Sequence, residues 1–334
     1  MTDQLHLRFE TRAAKPAVFR FTEQLIADAQ ARSGLAGTRT SLGEDLCELS
    51  WLAEADGLIT SNDIVRDPRF PIRELAAAAP RLRWLHIIGA GIEPLLPLDW
   101  LPPGVILTNN SGIHTEKIRE AALMALLMLN ARIPAIATNQ RRARWEQIFT
   151  PCIAGKAVLV IGVGEMGKTV AAAAKTLGLR VIGVRRSGAP HRDVDNMVSV
   201  AELDAALPDA DFIVLATPLT PATWNLLDRR RIGLMKRGAG LLNIGRAGLV
   251  DHDALVEALQ AGALSGAILD VHDPEPLTES SPLWRAANVV LTPHVTSDDL
   301  DNYLPKTLDL VFANAARLLR GQTLVNTVDP VRGY

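Results

Sequence analysis

Short apolar runs rich in Val, Ile and Leu recur along the chain, and most are followed by a segment of helix length. Such runs mark strands buried on both faces, and their alternation with helices is the pattern of a parallel sheet. In the first third the predicted strands are HLRFE from His6, GLITS from Gly57, LRWLHII from Leu82 and VILTN from Val105. A helix between the first two starts at Thr22 as N-cap and stops at Gly34. The second series is AVLVIG from Ala157, RVIGV from Arg180, FIVLA from Phe212, GLLNI from Gly240, GAILD from Gly266 and VVLTP from Val289. Its connections include an Ala-rich helix from Gly167 to Leu177 and a helix capped by Asp251 that stops at Gly262.

Between the two series a helix from about Glu116 to Ala131 precedes Pro134 and the charged segment RRARWEQ, a route from one domain to the next. After the last strand a helical pattern spans Asp298 to Leu319, ends at Arg320-Gly321, and leaves a tail to Tyr334. That piece is too short to be a domain and is expected to return to the first one. The expected fold class is α/β: two domains, each a parallel sheet with helices on both faces. The boundaries this predicts are 1–115 with 297–334 for one domain and 116–296 for the other.

The length of 334 residues agrees with two domains at roughly 100 to 200 residues each. A composition 48% hydrophobic and 22% charged supports a sizeable core and excludes a disordered or fibrous chain. The 35 Lys+Arg nearly cancel the 37 Asp+Glu, so no basic field exists to hold a nucleic acid. Two cysteines, Cys47 and Cys152, make no disulfide framework and fit a reducing compartment. The N-terminal MTDQLHLRFE lacks the basic patch and apolar run of a secretory signal. The stretch AALMALLMLNA from Ala121 meets Arg132 too soon for a bilayer that needs about 20 apolar residues. A cytoplasmic protein with no membrane or nucleic-acid partner is expected, and no metal is assigned.

Gly162-x-Gly164-x-x-Gly167 stands directly after a predicted strand and opens a predicted helix. In a dinucleotide-binding βαβ unit the first glycine makes the tight turn and the second lets backbone approach the pyrophosphate. The third allows close helix–strand packing. The helix N-terminus offers its amides and positive dipole end to the phosphates, which brings Glu165 and Met166 beside them. An ordinary glycine-rich βα turn is the alternative.

About 20 residues on, an NAD site would present Asp or Glu to the ribose, whereas an arginine there accommodates a 2′-phosphate. Here the chain reads Val184-Arg185-Arg186-Ser187, and the first carboxylate, Asp193, comes later. A guanidinium holds phosphate through paired charged hydrogen bonds. NADP(H) is therefore the preferred cofactor, with NAD(H) as the other possibility.

Ligands of open α/β sheets bind outside the carboxyl ends of the strands. Those ends carry Thr217-Pro218, Ile244-Gly245-Arg246, Asp270 and Thr292-Pro293-His294, and Glu275 follows in the turn Pro274-Glu275-Pro276. Together these residues resemble the D-isomer-specific 2-hydroxyacid dehydrogenase family. NIGRAGLVDHDALVEAL from Asn243 matches its arginine motif, LDVHDPEPL from Leu269 its acidic motif and LTPHVTS from Leu291 its histidine motif. With the glycine loop, order and spacing fit from about Lys156 to Ser297, and GAGIEPLL from Gly89 looks like the family's substrate loop.

The chemistry this implies is reduction of a 2-oxo acid, or the reverse. Arg246 would hold the carboxylate and polarise the C2 carbonyl, because a planar guanidinium binds oxygens in a fork and stays charged. His294 would supply the proton, since imidazole recharges near neutrality. Glu275 would hydrogen-bond that imidazole and favour its charged form. By resemblance, Asp270 meets the nicotinamide carboxamide, with a strand-end cap as the alternative. Thr217, Pro218, Ile244 and Gly245 complete the cofactor contacts, and the amides of Ala90 and Gly91 receive the substrate carboxylate.

The resemblance implies two Rossmann-like or flavodoxin-like domains with an active-site cleft between them, the discontinuous one binding substrate and the other NAD(P). Arginines at the ribose turn point to the glyoxylate and hydroxypyruvate reductase branch, yielding glycolate and D-glycerate. A homodimer through the long helix and RRARWEQ is expected. The chain departs from the family at Ala247, where glycine is common, and at His272, where an apolar or aromatic residue is common. Trp145 and Trp284 fit packing, with the crevice or a subunit contact as the alternatives. Lys168 lacks the full Walker pattern, which disfavours a triphosphatase. Two rivals remain: a dinucleotide-sensing interaction protein of the same fold, and a dehydrogenase of formate or phosphite.

Overall fold

Parallel strands buried on both faces need helices above and below, and the apolar runs are arranged in that way. The computed structural model describes residues 4–47, 49–330 and 332–333. The chain divides into two compact units, Met1–His114 with Asp298–Tyr334, and Thr115–Ser297. The tail's last residue, Tyr334, lies outside the described residues.

The first unit holds β1 (His6–Thr11), β2 (Arg39–Glu44), β3 (Gly57–Thr60), β4 (Trp84–Ile87) and β5 (Ile106–Asn109), in the parallel order β2-β1-β3-β4-β5. The Thr22 hydroxyl accepts the Leu25 amide at the start of α1 (Glu23–Ser33), and left-handed Gly34 ends that helix. Two single-turn helices follow, α2 (Asn62–Val65) and α3 (Leu75–Ala78). Strand β2 has no apolar run and was not anticipated. It lies at the sheet edge, where its residues are half-exposed or exposed.

The second unit opens with α4 (Thr115–Asn130) and α5 (Ile133–Arg141). Its strands are β6 (Ala157–Ile161), β7 (Arg180–Val184), β8 (Asn196–Val198), β9 (Phe212–Leu215), β10 (Gly240–Asn243), β11 (Gly266–Leu269) and β12 (Val289–Leu291). They form one sheet in the order β12-β11-β10-β9-β6-β7-β8, parallel throughout. Helix α6 (Glu165–Thr176) follows β6, and α7 (Leu203–Ala206) and α8 (Arg229–Leu234) are short. The carboxylate of Asp251 accepts the Ala254 amide to cap α9 (His252–Gln260). One sheet face packs on Ile118, Ala122, Leu126 and Leu129 of α4, the other on Leu255 and Leu259 of α9. Among the described residues no single helix is long and apolar enough to cross a membrane; α4 and α5 pass only as a pair bent by 67°.

The chain then returns to the first unit as α10 (Tyr303–Leu319). The helix starts later than expected. Asp299 accepts the amides of Asp301 and Asn302, holding the residues before it in a turn. Its buried stripe, Leu304, Leu308, Val311, Phe312 and Ala315, covers Leu7, Phe9, Ile59 and Trp84 of the sheet. Burying each large side chain of this kind contributes about 1.5–3 kcal/mol.

Candidate active site

The three glycines after β6 do different work. Gly162 has φ +96°, and a Cβ there would stand 2.7 Å from the carbonyl oxygen of Ala216. At Gly167 a Cβ would stand 1.9 Å from the carbonyl oxygen of Gly162, so no side chain fits between α6 and the turn. A Cβ at Gly164 would meet no protein atom within 4 Å. That residue caps α6 with no side-chain bond, which leaves open space over the positive end of the helix. These features fit a dinucleotide pyrophosphate. Glu165 and Met166 form the first turn of α6, and Glu165 pairs with Lys168 at 2.7 Å.

At the end of β7, Arg185 is half-buried and donates its backbone amide to Val198, while Arg186 and Ser187 are exposed. Asp193 is engaged by Arg192 and His191. No carboxylate occupies the four positions Val184 to Ser187.

Sheet register brings the remaining strand ends side by side. Asn243 of β10 is opposite Leu269 of β11, which is opposite Leu291 of β12. The next residues out are therefore Ile244, Asp270 and Thr292, on three neighbouring strands. Leu215 of β9 is opposite Asn243, and Thr217-Pro218 lie just beyond it. A Cβ on Gly245 would stand 2.9 Å from the Thr217 carbonyl oxygen, so the β9 and β10 loops pass at close range. Buried Asn243 shapes the arginine turn, donating to the Arg246 carbonyl at 2.9 Å and accepting from the Gly245 amide at 3.1 Å. Arg246 itself is half-buried and donates from Nη1 to the Gly245 carbonyl at 2.7 Å. Ala247 is buried.

Asp270 is 2% exposed, and its carboxylate is filled by the loop after β12. It accepts from the Thr292 hydroxyl at 2.6 Å, the Val295 amide at 3.0 Å, and the Thr296 amide and hydroxyl at 3.2 and 2.6 Å. The strand-end cap left open by the sequence is thus present. These donors flank His294, whose own amide bonds the Thr292 carbonyl at 3.0 Å and whose φ is +54°.

Glu275 and His294 meet. The imidazole Nδ1 lies 2.7 Å from Oε2 of Glu275, and the two side chains are 41% and 38% exposed, so a ligand can reach them. With Nδ1–H donated to the carboxylate, Nε2 carries a proton only in the charged ring, and that is the atom left to face a substrate oxygen. The other oxygen, Oε1, accepts the His272 amide at 2.9 Å. The His272 ring donates from Nε2 to the Thr292 carbonyl at 2.9 Å, while its Nδ1 is buried with no partner among the described residues. His272 therefore ties the Glu275 turn to the His294 turn. Burial first, then nearby His272, holds His252 below the ordinary imidazole range.

Asn243 and Thr296 were not singled out from sequence, and Thr292 was named only as a strand-end residue. Each lies within or beside a recognised motif; Asn243 bonds its own turn, whereas the signal of Thr292 and Thr296 is a hydrogen bond to Asp270, distant along the chain. In the first unit, Ala90 and Gly91 lie on the turn after β4; Ala90 is exposed and Gly91 half-buried. Among the described residues no group of three or more His, Cys, Asp or Glu is placed to hold a metal ion.

Residues 123–296 match the family described as D-isomer specific 2-hydroxyacid dehydrogenase, NAD binding domain. The chain belongs to the D-isomer-specific 2-hydroxyacid dehydrogenase family. The dehydrogenase is 30% identical over 286 residues to glyoxylate/hydroxypyruvate reductase B of Pectobacterium carotovorum, across 84% of this chain and 87% of that one. Its structure is similar to a D-isomer specific 2-hydroxyacid dehydrogenase from Xanthobacter autotrophicus in complex with NADPH and MES. There the TM-score is 0.83, identity is 27%, and 99% and 100% of the two chains are covered. It also resembles the NADPH-dependent glyoxylate/hydroxypyruvate reductase of Sinorhizobium meliloti in complex with NADP and sulfate, with TM-score 0.79, 26% identity, and 99% and 100% coverage. As a member of this family the dehydrogenase is an oxidoreductase acting on CH–OH groups, with an NAD-binding domain.

Proposed function

We propose that this dehydrogenase is an NADP(H)-dependent 2-oxo acid reductase that converts glyoxylate to glycolate and hydroxypyruvate to D-glycerate. The observation that carries this is the 2.7 Å bond between His294 Nδ1 and Glu275, at the carboxyl end of the nucleotide-binding sheet. Arg246, from the strand beside Asp270, holds the substrate carboxylate and polarises its carbonyl. His294 delivers a proton from Nε2 to the carbonyl oxygen, and Glu275 keeps the ring oriented through its bond to Nδ1. The amides of Ala90 and Gly91 receive the carboxylate, and the first unit, Met1–His114 with Asp298–Tyr334, is the substrate domain. When bound, NADPH supplies the hydride.

Gly162, Gly164, Glu165, Met166 and Gly167 would hold the pyrophosphate, and Thr217, Pro218, Ile244, Gly245 and Asp270 the nicotinamide side. The 2′-phosphate falls to Arg185, Arg186 and Ser187. Support comes from the missing acid at that turn and from the NADPH or NADP printed with the two similar structures.

The dehydrogenase is proposed to be a homodimer. Trp145 and Phe149 are 94% and 85% exposed on the segment after α5, and Met124 and Leu127 of α4 are also uncovered. Asn139 to Glu146 and Asn130 to Pro151 tie that segment to the same helices.

The test is steady-state kinetics with a panel of 2-oxo acids, formate and phosphite against both nicotinamides, with the mass measured by light scattering. Turnover of glyoxylate and hydroxypyruvate with NADPH is expected. NADPH binding without turnover would make the chain a dinucleotide sensor, and activity on formate or phosphite alone would reassign the substrate.

A further inference from the structure

The turn bearing Ala90 and Gly91 is pinned from behind. The Ile88 carbonyl accepts both the side-chain amide of Asn110 and the hydroxyl of Tyr303. The Gly89 carbonyl accepts the Asn110 backbone amide at 3.1 Å. The Ala90 carbonyl accepts the Asn109 side chain at 2.8 Å, and the Gly91 carbonyl that of Asn62 at 2.9 Å. Four successive carbonyls are therefore occupied. The amides of Gly89, Ala90 and Gly91 donate to no acceptor among the described residues. In a trans peptide the C=O and the following N–H point in opposite directions, so fixing oxygens 88, 89 and 90 aims hydrogens 89, 90 and 91 the other way. Three amides aimed away from these partners on a partly exposed turn suit an anion.

A second tier holds the asparagines. Asn110 Nδ2 also donates to Thr307 Oγ1 at 2.8 Å, and its Oδ1 faces His86 Nε2 at 2.9 Å. Burial lowers His86 to about 4, so the ring is neutral. With Nε2–H donated to Asn110, His86 Nδ1 accepts the Thr108 hydroxyl, which in turn accepts Trp84 Nε1. Asn109 Oδ1 accepts the Ser111 amide, and its backbone exchanges bonds with Asn326. Tyr303, Thr307 and Asn326 all come from the returning C-terminal stretch.

We propose that Tyr303, Thr307 and Asn326, acting through Asn109 and Asn110 and aided by Asn62, are positioning residues for a carboxylate site built from the amides of Gly89, Ala90 and Gly91. This rests on the substrate assignment above. The C-terminal stretch thereby sets substrate affinity as well as covering the sheet.

The full chain saturated with NADPH is titrated with oxalate, a non-reducible carboxylate, and followed by hydrogen exchange of peptides spanning 88–92. Oxalate is expected to slow exchange there. Asn109→Asp keeps the shape but removes the donor to Ala90, and should weaken oxalate by about tenfold while NADPH affinity holds. Its KM for the 2-oxo acid should rise more than kcat falls. Tyr303→Phe, which leaves Asn110 on the Ile88 carbonyl, should weaken oxalate by about two- to fivefold. Unchanged oxalate affinity in both variants, or protection that bypasses 88–92, would overturn the proposal. If Asn109→Asp fails to fold, unchanged affinity in Tyr303→Phe overturns it alone. Protection at 88–92 in a parent protein that reduces no 2-oxo acid would support the site while defeating the proposed reaction.

Discussion

Thr296 gives both its hydroxyl and its backbone amide to one oxygen of Asp270, at 2.6 and 3.2 Å. The other oxygen takes the Thr292 hydroxyl and the Val295 amide, so one buried carboxylate closes the turn on both sides of His294. The left-handed backbone of His294 costs about 1–2 kcal/mol at a residue with a Cβ. Charge-assisted bonds to a buried carboxylate are strong enough to offset that cost.

Replacing Asp270 by Asn puts an NH2 against donors and should release the turn. The expected result is a fall in kcat of about tenfold or more, with NADPH affinity changed far less. A variant that lost NADPH affinity and kept its kcat would show that the carboxylate serves the cofactor rather than the histidine turn.

His294→Asn removes the proposed proton donor without disturbing the glycine loop. Turnover should drop about 100-fold or more, as loss of a general acid does. Cofactor titration should be nearly unchanged; near-normal turnover would take His294 out of the mechanism.

Arg246→Lys exchanges a planar fork for a point charge. The lysine should raise KM and lower kcat together, because the proposed carboxylate binding and carbonyl polarisation both depend on the fork. Parent-like kinetics would refute both assignments.

Arg185→Asp places an acid where the 2′-phosphate is proposed to lie. The ratio of kcat/KM for NADPH over NADH should fall, mainly through repulsion of the phosphate. An unaltered ratio would remove Arg185 from cofactor choice.

Acid should destabilise the first unit through two buried histidines. Burial lowers His86 to about 4; burial, then Lys306, lowers His114 to about 4 as well. Unfolded, each titrates near about 6.5, so between those values the unfolded chain binds more protons. The stability gained by keeping the rings neutral is complete above about pH 6.5 and is lost as pH falls toward 4. Urea midpoints should therefore drop between about pH 7 and about pH 5, and less steeply in His86→Asn. Equal midpoints would contradict the effect.

Ten of the strands were legible, most of them as buried apolar runs bounded by turn residues. The other two, RTSLGE and NMV, are sheet edges, where one side is solvated and the apolar signal fades. The glycine turn was legible because backbone crowding leaves one residue type possible at Gly162 and Gly167. The pairing of Glu275 with His294 was expected from a motif, whereas for Asp270 a strand-end cap was left as an alternative with no partner named for it. Threonine hydroxyls carry no positional signal until register brings β11 and β12 together. The His294 backbone conformation was equally hidden, since nothing in LTPHVTS requires φ above zero.

The returning helix α10 also constrains the order of assembly. Residues 115–297 are contiguous and can fold as they leave the ribosome, but Leu7, Phe9 and Trp84 stay uncovered until Leu308 and Phe312 have been made. The first part of the chain to be synthesised is thus among the last to mature. Any event that halts translation before the final helix leaves a sticky half-sheet for chaperones or proteases to meet.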